Sequence, residues 1–338
     1  MKACVYRAPG APLEVAEVPD PIAGPGELVV RVKACGICGS DLHAAGRNFR
    51  MPPGTILGHE FSGVVETLGD GVEGFERGDP VVAMSYVGCG RCESCRVGEA
   101  QRCREVKLVG FGEVPGAYAE LMKTRPASVF KMPPGMSFRE AATVEPLVVG
   151  LHGLHRAGFQ AGESCVVMGA GPIGIATMLW ARFAGARTIV VSELSEPRRR
   201  LALTMGADAA VDPRMHNPAG KVESLTGAGP QVIFECIGAP GAMAEAIAYA
   251  QRSSRVVIIG VCTEDDGFAP ITAMSKELDM RFSLGMERAE VEMAIAALAS
   301  GRVATAPMIT HTMGIDDVPK AFAALALPTN QSKVMIEF

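Results

Sequence analysis

The sequence predicts an α/β protein in which a β-rich amino-terminal domain precedes a doubly wound parallel sheet. The chain has 338 residues, more than the roughly 250–300 that one hydrophobic core usually supports, so two domains are expected. Residues 1–140 hold short β-rich runs, such as ELVVRVKAC and FSGVVETLG, which are broken by Gly and Pro. From residue 164 onward, apolar runs alternate with helical stretches, a pattern typical of a parallel sheet.

Composition and charge argue against nucleic acid and membranes as partners. The formal net charge is −5 and no basic block is present, so a nucleic-acid partner is not expected. The first fifteen residues, MKACVYRAPGAPLEV, lack the apolar core of a signal peptide. Residues 164–181 are uncharged and long enough to span a bilayer, but they contain three glycines and a proline and begin like a strand. We therefore expect a cytoplasmic protein.

Four cysteines lie close together in the first half of the chain. They follow the pattern Cys89-x2-Cys92-x2-Cys95-x7-Cys103. In a reducing compartment such a cluster favours a metal site over disulfides. An iron–sulfur cluster is the alternative, but the bacterial pattern closes with x3-Cys-Pro, which this stretch lacks. Because four thiolates complete a tetrahedral zinc site and leave no open position, the cluster predicts a structural zinc.

A second group of metal ligands comes from separated segments. Residues 34–43 read ACGICGSDLH, residues 58–60 read GHE and residues 143–148 read TVEPLV. They offer the mixed ligand set Cys38, His59, Glu60 and Glu145. Such a set can keep one zinc position open for water or substrate, which is typical of a catalytic site. Cys35 and Cys38 are also spaced like a redox dithiol, but no βαβ unit surrounds them.

A glycine-rich fingerprint follows the first strand of the second domain. The run Gly169-Ala170-Gly171-Pro172-Ile173-Gly174 is G-x-G-x-x-G, and a helix and a second strand follow it. Glu193 comes after that strand, 19 residues beyond the third glycine. This context predicts a dinucleotide site: Gly169 permits a tight turn, Gly171 lets the backbone approach the pyrophosphate, and Gly174 lets the helix pack on the strand. Three further strands are predicted at 209–212, 231–238 and 255–261, with a helix across 241–251.

The motifs CGICGSDLH, GHE, the four-cysteine stretch, EP at 145–146 and GAGPIG together resemble the zinc-dependent medium-chain dehydrogenases. The similarity runs from the initial MKA to the final KVMIEF, and GHEFSGVV and EPLVVGLH resemble the polyol, butanediol and threonine dehydrogenase branch. The resemblance implies a GroES-like catalytic domain with the zinc sites at 1–146 and a Rossmann NAD-binding domain at 147–285. Residues 286–338 would return to the catalytic domain. It also implies a homodimer or homotetramer built through the Rossmann domain.

The resemblance assigns roles to the metal ligands and their neighbours. Cys38 and His59 match the two fixed ligands of the catalytic zinc, and Glu60 matches a carboxylate that binds it or exchanges with water. Glu145 stands where many alcohol dehydrogenases have a third cysteine ligand. Asp41 matches an acid that orients the histidine ligand.

The other assigned roles concern the proton path and the cofactor. Ser40 and His43 match a proton relay through the nicotinamide ribose, whereas Ile173, Glu193 and Arg198 match contacts to the adenosine half. A carboxylate at Glu193 favours NAD over NADP because it binds ribose hydroxyls and repels a 2′-phosphate. The arginine run at 198–200 is the feature that would favour NADP, because it could bind a 2′-phosphate. It begins five residues after the acid, however, so we expect two of its three side chains to point to solvent and Arg198 to cover the adenine face.

The predicted activity is zinc-dependent, NAD-linked interconversion of a secondary alcohol or diol and its ketone. Ala44 stands where sorbitol enzymes carry an aromatic residue, and Gly285 stands near the place of an arginine. Phe49 and Met51 are expected to line a more apolar pocket, so sugar alcohols are disfavoured. One alternative, a zinc-free quinone or enoyl reductase on the same fold, has no use for these ligands. The other is a non-catalytic nucleotide-binding protein, against which the complete ligands and relay argue.

Overall fold

The computed structural model describes residues 1–46, 51–325 and 330–338. Its strands are β1 (Lys2–Val5), β2 (Glu14–Glu17), β3 (Leu28–Ile37), β4 (Glu60–Leu68), β5 (Pro80–Ala83), β6 (Tyr86–Val87), β7 (Lys107–Leu108), β8 (Leu121–Thr124), β9 (Val129–Lys131), β10 (Ser164–Met168), β11 (Thr188–Ser192), β12 (Ala209–Val211), β13 (Val232–Glu235), β14 (Arg255–Ile258), β15 (Asp279–Phe282), β16 (Ile309–Met313) and β17 (Lys333–Glu337).

The α-helices in the described residues are mostly short, and the longer ones flank the parallel strands. They are α1 (Gly39–Ala45), α2 (Glu93–Arg96), α3 (Phe138–Ala141), α4 (Val144–Ala157), α5 (Pro172–Phe183), α6 (Glu196–Thr204), α7 (Pro218–Thr226), α8 (Ala242–Tyr249), α9 (Pro270–Ser275), α10 (Arg288–Ala299) and α11 (Val318–Leu325). No helix in this described part of the chain is long and apolar enough to cross a membrane.

The chain divides into two compact units. The first unit contains Met1–Glu145, Met286–Gly301 and Ile309–Phe338, and the second contains Pro146–Gly285 and Arg302–Met308. Relative to the predicted boundaries, Pro146 and the short segment Arg302–Met308 lie in the second unit instead of the first domain and its carboxyl-terminal return.

The main sheet of the first unit brings three chain segments together. Its strand order is β16-β17-β3-β4-β5-β9, and β8 also pairs with β3. Leu28, Val30 and Val32 alternate along β3 and are fully buried in the core, as a strand with one apolar face requires. Because β3 pairs with both β4 and β17, residues that follow β3 lie near residues that begin the other two strands.

The second unit contains a parallel six-stranded sheet. Its order is β12-β11-β10-β13-β14-β15, so the chain moves outward from β10 first to one side and then to the other. Every residue of β10 is buried, because helices cover both faces of such a sheet. The predicted strands at 209–212, 231–238 and 255–261 are present in shortened form as β12, β13 and β14. The predicted doubly wound α/β fold is confirmed.

Candidate metal centres and nucleotide site

The ladder between β3 and β4 brings the mixed ligands together. Cys38 follows the end of β3 and His59 precedes β4, and Gly36 pairs with Glu60 across the ladder. A Cβ atom on Gly36 would lie 2.0 Å from Oε2 of Glu60, so only glycine leaves room for that carboxylate. As a result, Cys38, His59 and Glu60 each offer a ligand atom, and these atoms all lie within 4.8 Å of one another.

Asp41 contacts the imidazole of His59 at Nδ1, the ring nitrogen on the side away from the ligand group. Its Oδ1 lies 3.2 Å from Nδ1 of His59, while its Oδ2 accepts hydrogen bonds from the Tyr118 hydroxyl at 2.7 Å and from the Cys38 backbone N–H at 3.0 Å. The ring of Phe111 also packs against His59, with centroids 5.4 Å apart. Since Nδ1 faces the acid, Nε2 is the nitrogen that remains for a metal.

The electrostatics of this pair are set by burial and by mutual attraction. Burial alone would lower the pKa of His59, but the Asp41 carboxylate outweighs it and raises that pKa well above its ordinary value. Burial alone would raise the pKa of Asp41, but His59, the Tyr118 hydroxyl and the Cys38 N–H together keep it below its ordinary value. A metal on Nε2 would require the neutral ring, so it would compete with a proton for this nitrogen.

Glu60 forms a buried ion pair that the sequence did not predict. Nζ of Lys333 donates to both carboxylate oxygens, at 2.7 and 2.6 Å, and to the carbonyl oxygen of Ile37 at 3.0 Å. Lys333 is 1% exposed and Glu60 is fully buried. Burial alone would lower the pKa of Lys333, but Glu60 raises it above its ordinary value. The Glu60 carboxylate is thus placed between a lysine and the other two ligands.

Glu145 lies at the edge of this centre. Its carboxyl is buried, and burial raises its pKa to about 7, while His59 and a hydrogen bond with Ser85 act against that shift. Among the described residues, the tight ligand group contains Cys38, His59 and Glu60 but not Glu145. Direct binding of a metal by Glu145 therefore remains a prediction.

The predicted proton relay begins beside the ligands. The Ser40 hydroxyl donates to Sγ of Cys38 at 3.1 Å and lies 3.4 Å from Nε2 of His59. Ser40 and His43 both lie on α1, three residues apart, and His43 is exposed. Within the described residues, no hydrogen bond joins Ser40 directly to His43.

Three residues considered for the substrate pocket give a mixed picture. Ala44 is fully buried and Met51 is 8% exposed, and both belong to the core of the first unit. Phe49 lies outside the described residues.

The four-cysteine stretch forms a second, separate group in the first unit. One sulfur from each of Cys89, Cys92, Cys95 and Cys103 lies within 4.8 Å of the other three. Backbone N–H groups of Cys89, Cys92 and Glu105 point at sulfurs of the group, at 3.3–3.4 Å. The N–H of Arg91 is the largest influence that lowers the pKa of Cys89 to about 6, followed by that of Cys92. Burial raises the pKa of Cys95 to about 12, so the backbone donors favour a thiolate at Cys89 but not at every sulfur of the group.

The donor atoms of both groups suit zinc. Four sulfurs match a closed tetrahedral site, whereas a thiolate, an imidazole nitrogen and a carboxylate match a site with an open position. The Asp41 carboxylate behind His59 is the partner that zinc-binding histidines usually have.

The glycine-rich loop has the conformation that a phosphate site needs. Gly169 has φ +89°, and Gly171 precedes α5 with open space where a side chain would stand. A Cβ atom on Gly174 would lie 1.9 Å from the carbonyl oxygen of Gly169, so the helix packs on the turn only with glycine there. Ile173 is partly buried in the first turn of the helix. The amino terminus of α5 can thus face a phosphate group.

Glu193 is oriented by backbone groups around this loop. Its Oε2 accepts from the N–H of Ala170 at 2.9 Å, and its Oε1 accepts from the N–H of Ser195 at 2.8 Å. Nη1 of Arg198 lies 4.0 Å from the same carboxylate. The expectation that two of the three arginines point to solvent is wrong. Only Arg200 has a mostly exposed side chain, whereas Arg199 donates to the carbonyl oxygens of residues 193 and 194.

Sequence reasoning missed Lys333, Tyr118 and Ser85 as partners of the mixed ligand group. Lys333 opens the final KVMIEF strand, where a charged residue at the start of a strand looks like an ordinary surface residue. The pairing of β17 with β3 places it beside Glu60, and no short-range pattern in the sequence signals that pairing.

Two family models match the chain in the expected order. The alcohol dehydrogenase GroES-like domain matches residues 24–134, and the zinc-binding dehydrogenase matches residues 172–300. The L-idonate 5-dehydrogenase of Vitis vinifera is 33% identical over 93% of this chain and 89% of its own length. The sorbitol dehydrogenase of Macaca fascicularis is 35% identical over 94% of this chain and 90% of its own length.

A solved structure shows the same fold along the whole chain. It is that of a candidate zinc-binding dehydrogenase from Sinorhizobium meliloti 1021 bound to NADP, with a TM-score of 0.90, 31% identity, and coverage of 100% of this chain and 99% of that one. The chain therefore belongs to the zinc-dependent medium-chain dehydrogenases and is an alcohol dehydrogenase-like oxidoreductase. Within the family it falls in the polyol, butanediol and threonine dehydrogenase-like branch, as the motifs predicted.

Proposed function

We propose that this chain interconverts a secondary alcohol or short diol and the corresponding ketone, with NAD as the hydride carrier. The observation that carries the proposal is the convergence of Cys38, His59 and Glu60 within 4.8 Å, with the Ser40 hydroxyl beside two of them. This arrangement has the ligands for one catalytic zinc and a proton acceptor at the same place. The four-cysteine group would hold a second, structural zinc.

The division of labour among these residues follows from their contacts. Zinc, when bound, supplies Lewis-acid polarisation of a substrate oxygen, and NAD supplies the hydride acceptor. Asp41 keeps the His59 ring turned so that Nε2 faces the ligand group. Ser40 takes the proton of the substrate hydroxyl, and the exposed His43, on the same helix, passes it outward. The group that would join Ser40 to His43 is, by the family resemblance, the nicotinamide ribose. In ketone reduction the same groups return the proton.

The substrate is proposed to be less polar than a sugar alcohol. By the resemblance, Ala44 stands where the sorbitol enzymes carry an aromatic residue, and its methyl group could not bind a substrate hydroxyl. The relatives named after sorbitol and L-idonate act on polyhydroxyl compounds by their names, so the panel must include these. The test is NADH formation by the purified chain on 2,3-butanediol, cyclohexanol, sorbitol and L-idonate, together with zinc analysis. Two zinc ions per chain and turnover of the first two substrates are expected. Absence of turnover on every alcohol and ketone tried, with one zinc per chain, would favour a protein without a catalytic metal.

NAD is the proposed cofactor because Glu193 follows the second strand of the parallel sheet, where an acid is expected to bind the ribose hydroxyls, and two backbone N–H groups orient its carboxylate. The Sinorhizobium relative binds NADP, so the family itself permits either cofactor. The test is the ratio of kcat/KM for NAD and NADP in the unchanged chain and in Glu193→Ala. We expect an NAD preference that shrinks in the variant, whereas Glu196→Ala, at an exposed glutamate on α6, should leave it unchanged. A preference of the unchanged chain for NADP would contradict the assignment.

A homodimer or homotetramer built through the second unit is also proposed. β15 is the last strand in the order of the parallel sheet, and Phe282 and Leu284 at its end are 63% and 83% exposed. An edge strand that ends in exposed apolar residues favours contact with another copy of the chain. Light scattering of the unchanged chain and of Leu284→Lys should show an oligomer that dissociates in the variant.

The proposed location is the cytoplasm. All ten cysteines are free in the structure, and four of them form the sulfur group, which suits a reducing compartment.

A further inference from the structure

Glu235 is a buried acid in the second unit that the proposed chemistry does not use. It is the last residue of β13 and is 2% exposed. Its Oε1 accepts hydrogen bonds from the backbone N–H groups of Ile237, at 2.6 Å, and Gly238, at 2.8 Å. Its carbonyl oxygen accepts from Ile259 at 2.9 Å and from Gly260 at 3.0 Å. The carboxylate thus holds the loop after β13, the backbone carbonyl of the same residue holds the start of the loop after β14, and the N–H of Gly260 also acts on the carboxyl.

These two loops also touch each other closely. A Cβ atom on Gly260 would lie 2.2 Å from the nitrogen of Gly238 and 2.7 Å from Oε2 of Glu235. Gly238 itself has φ +68°, a conformation that favours glycine. A second acid reinforces the connection: Asp266, beyond β14, accepts from the N–H groups of Gly241 and Met243 at the start of α8, at 2.8 and 3.1 Å.

The position of the two loops in the sheet relates them to a dinucleotide. The strand order reverses between β10 and β13, and open α/β sheets bind ligands at the carboxyl ends of the strands at such a point. The glycine-rich loop follows β10, and a Cβ atom on Gly169 would lie 3.2 Å from Cγ1 of Ile237. Glu193, at the end of β11, takes the adenosine side. The loops after β13 and β14 therefore lie on the side of the other nucleotide.

The acid is costly to bury, which indicates a purpose beyond packing. Burial raises the pKa of the Glu235 carboxyl, and the N–H groups of Gly238, Ile237 and Gly260 act against that shift. The neighbouring strand β10 ends in Met168, so a buried carboxylate is not required at every strand end of this sheet. Ile237 and Val261, one in each loop, are each 46% exposed, and an apolar surface of this kind is better covered by a ligand.

We propose that Glu235 is a positioning residue that holds the loops after β13 and β14 in the shape that receives the nicotinamide half of the cofactor, before the cofactor binds. The inference rests on the proposed NAD-linked function. Its physical basis is that a loop ordered in advance does not lose conformational entropy on binding.

The first test compares two ligands in Glu235→Gln. Gln keeps the shape of the side chain, but it loses the charge and places an amide N–H₂ among backbone N–H donors. The Kd for NADH should rise about tenfold, since charge-assisted bonds hold the bound shape, whereas the Kd for ADP, which lacks the nicotinamide half, should change less than about twofold. Equal weakening of both ligands, or of neither, overturns the inference.

A matched control lies at the opposite end of the same sheet. Asp208 lies just before β12, and its carboxylate accepts from the N–H of Ile189 at 2.7 Å and from Nη2 of Arg182 at 2.6 Å. Asp208→Asn should lower thermal stability while leaving the ratio of the two Kd values unchanged. A changed ratio in this variant would mean that any loss of a carboxylate in the unit alters NADH binding, which also overturns the inference.

The second test does not depend on a variant that folds. Amide hydrogen exchange of the unchanged full chain should show slow exchange at Ile237 and Gly238 without cofactor. Fast exchange there that becomes slow only with NADH would mean that the cofactor orders the loops, and the inference fails. A chain that binds neither NADH nor ADP overturns the proposed function, and with it this inference, so the two failures are distinguishable.

Discussion

The two candidate metal centres lie in the same unit but are built in opposite ways. The sulfur group comes from one stretch, 89–103, and backbone N–H groups of that stretch point at its sulfurs. The mixed group comes from the ends of β3 and β4, and its surroundings include the buried charges of Asp41 and Lys333. The first centre needs only local chain geometry, whereas the second needs the assembled sheet.

The difference suggests what each centre is for. Four sulfurs and local backbone donors leave no position for a further ligand, which suits a structural role. The mixed group has three ligand atoms and is surrounded by groups that control charge. A buried lysine and a buried aspartate are costly to keep, and buried charges with shifted pKa values of this kind cluster at functional sites. The comparison is therefore best tested by changes that affect one centre and leave the other intact.

The largest expected effect is on activity and comes from the mixed group. Cys38→Ser should reduce turnover to the background of the assay, because an alcohol is a poor zinc ligand compared with a thiolate. The zinc content should fall from two ions per chain to one, and the midpoint of thermal unfolding should change little.

Cys35→Ala is the matched control, since Cys35 lies in the same strand region but outside the ligand group. It should keep both zinc ions and most of the activity. Full activity in Cys38→Ser would contradict the role of Cys38 as a ligand of a catalytic zinc. Loss of activity in Cys35→Ala with both zinc ions retained would favour a redox dithiol formed by Cys35 and Cys38.

The contrast also explains what the sequence could predict. The Cys-x2-Cys-x2-Cys-x7-Cys spacing predicted the four members of the sulfur group, because its geometry is contained in a few turns of chain. The mixed ligands were recognised as a set, but the register that pairs Gly36 with Glu60 is not visible in a spacing. The partners Tyr118 and Lys333 come from distant strands, and their roles depend on sheet order, which local patterns do not encode.

The next largest effect is on stability and comes from the sulfur group. Cys95→Ser opens a closed site and should remove one zinc ion while the mixed group keeps its own. The thermal midpoint should fall by on the order of 10 °C, since structural zinc contributes several kcal/mol and each kcal/mol is about 2–4 °C in a unit of this size. Activity per correctly folded chain at low temperature should remain. Cys262→Ser, at a partly buried cysteine outside both groups, should change neither the zinc content nor the thermal midpoint. Retention of both zinc ions in Cys95→Ser would contradict the assignment.

A smaller effect separates the ion pair from the metal. Lys333→Met leaves the buried Glu60 without its lysine, a change that costs about 3–5 kcal/mol when nothing replaces the lost charge. A zinc ion nearby can compensate Glu60, so the loss should be smaller in the unchanged background than in Cys38→Ser, which lacks that zinc. The free energy of unfolding is measured by denaturant for the unchanged chain, Lys333→Met, Cys38→Ser and the double variant. These four values form a double-mutant cycle that gives the coupling between Lys333 and Cys38.

Lys123→Met is the control for the loss of a lysine from an ion pair. Lys123 pairs with Glu27 at 2.9 Å at the surface, where such pairs contribute little. Equal losses from Lys333→Met in both backgrounds would mean that Glu60 does not respond to the metal, and its role as a ligand would then be in doubt.

The strand pattern of the second unit was easier to predict than either centre's surroundings. Buried runs such as SCVVM and TIVVS are apolar throughout because both faces of the sheet are covered, and they alternate with helices at regular distances. The hydrogen bonds between Glu235 and the two loops were not predicted, because an acid at the end of an apolar run resembles the ordinary end of a strand. The positioning role that we propose for Glu235 follows only from the contacts of this residue with the loops after β13 and β14.

The smallest effect concerns Glu145, which lies beside the mixed group but outside its tight set of ligand atoms. Its carboxyl is buried with a pKa raised to about 7, so it influences the centre by its charge, its hydrogen bond with Ser85, or both. Glu145→Ala should lower kcat by about 10–100-fold, the usual loss when a group next to a metal is removed. Glu145→Gln separates the causes: if only the hydrogen bond matters, Gln restores most of the rate, and if the charge holds the metal, it does not. Zinc content and kcat of the two variants, measured beside the control Glu140→Gln at a partly buried glutamate outside the ligand group, decide between them. An unchanged rate and metal content in both variants would make Glu145 a packing residue, and the mixed centre would then be the three-residue group alone.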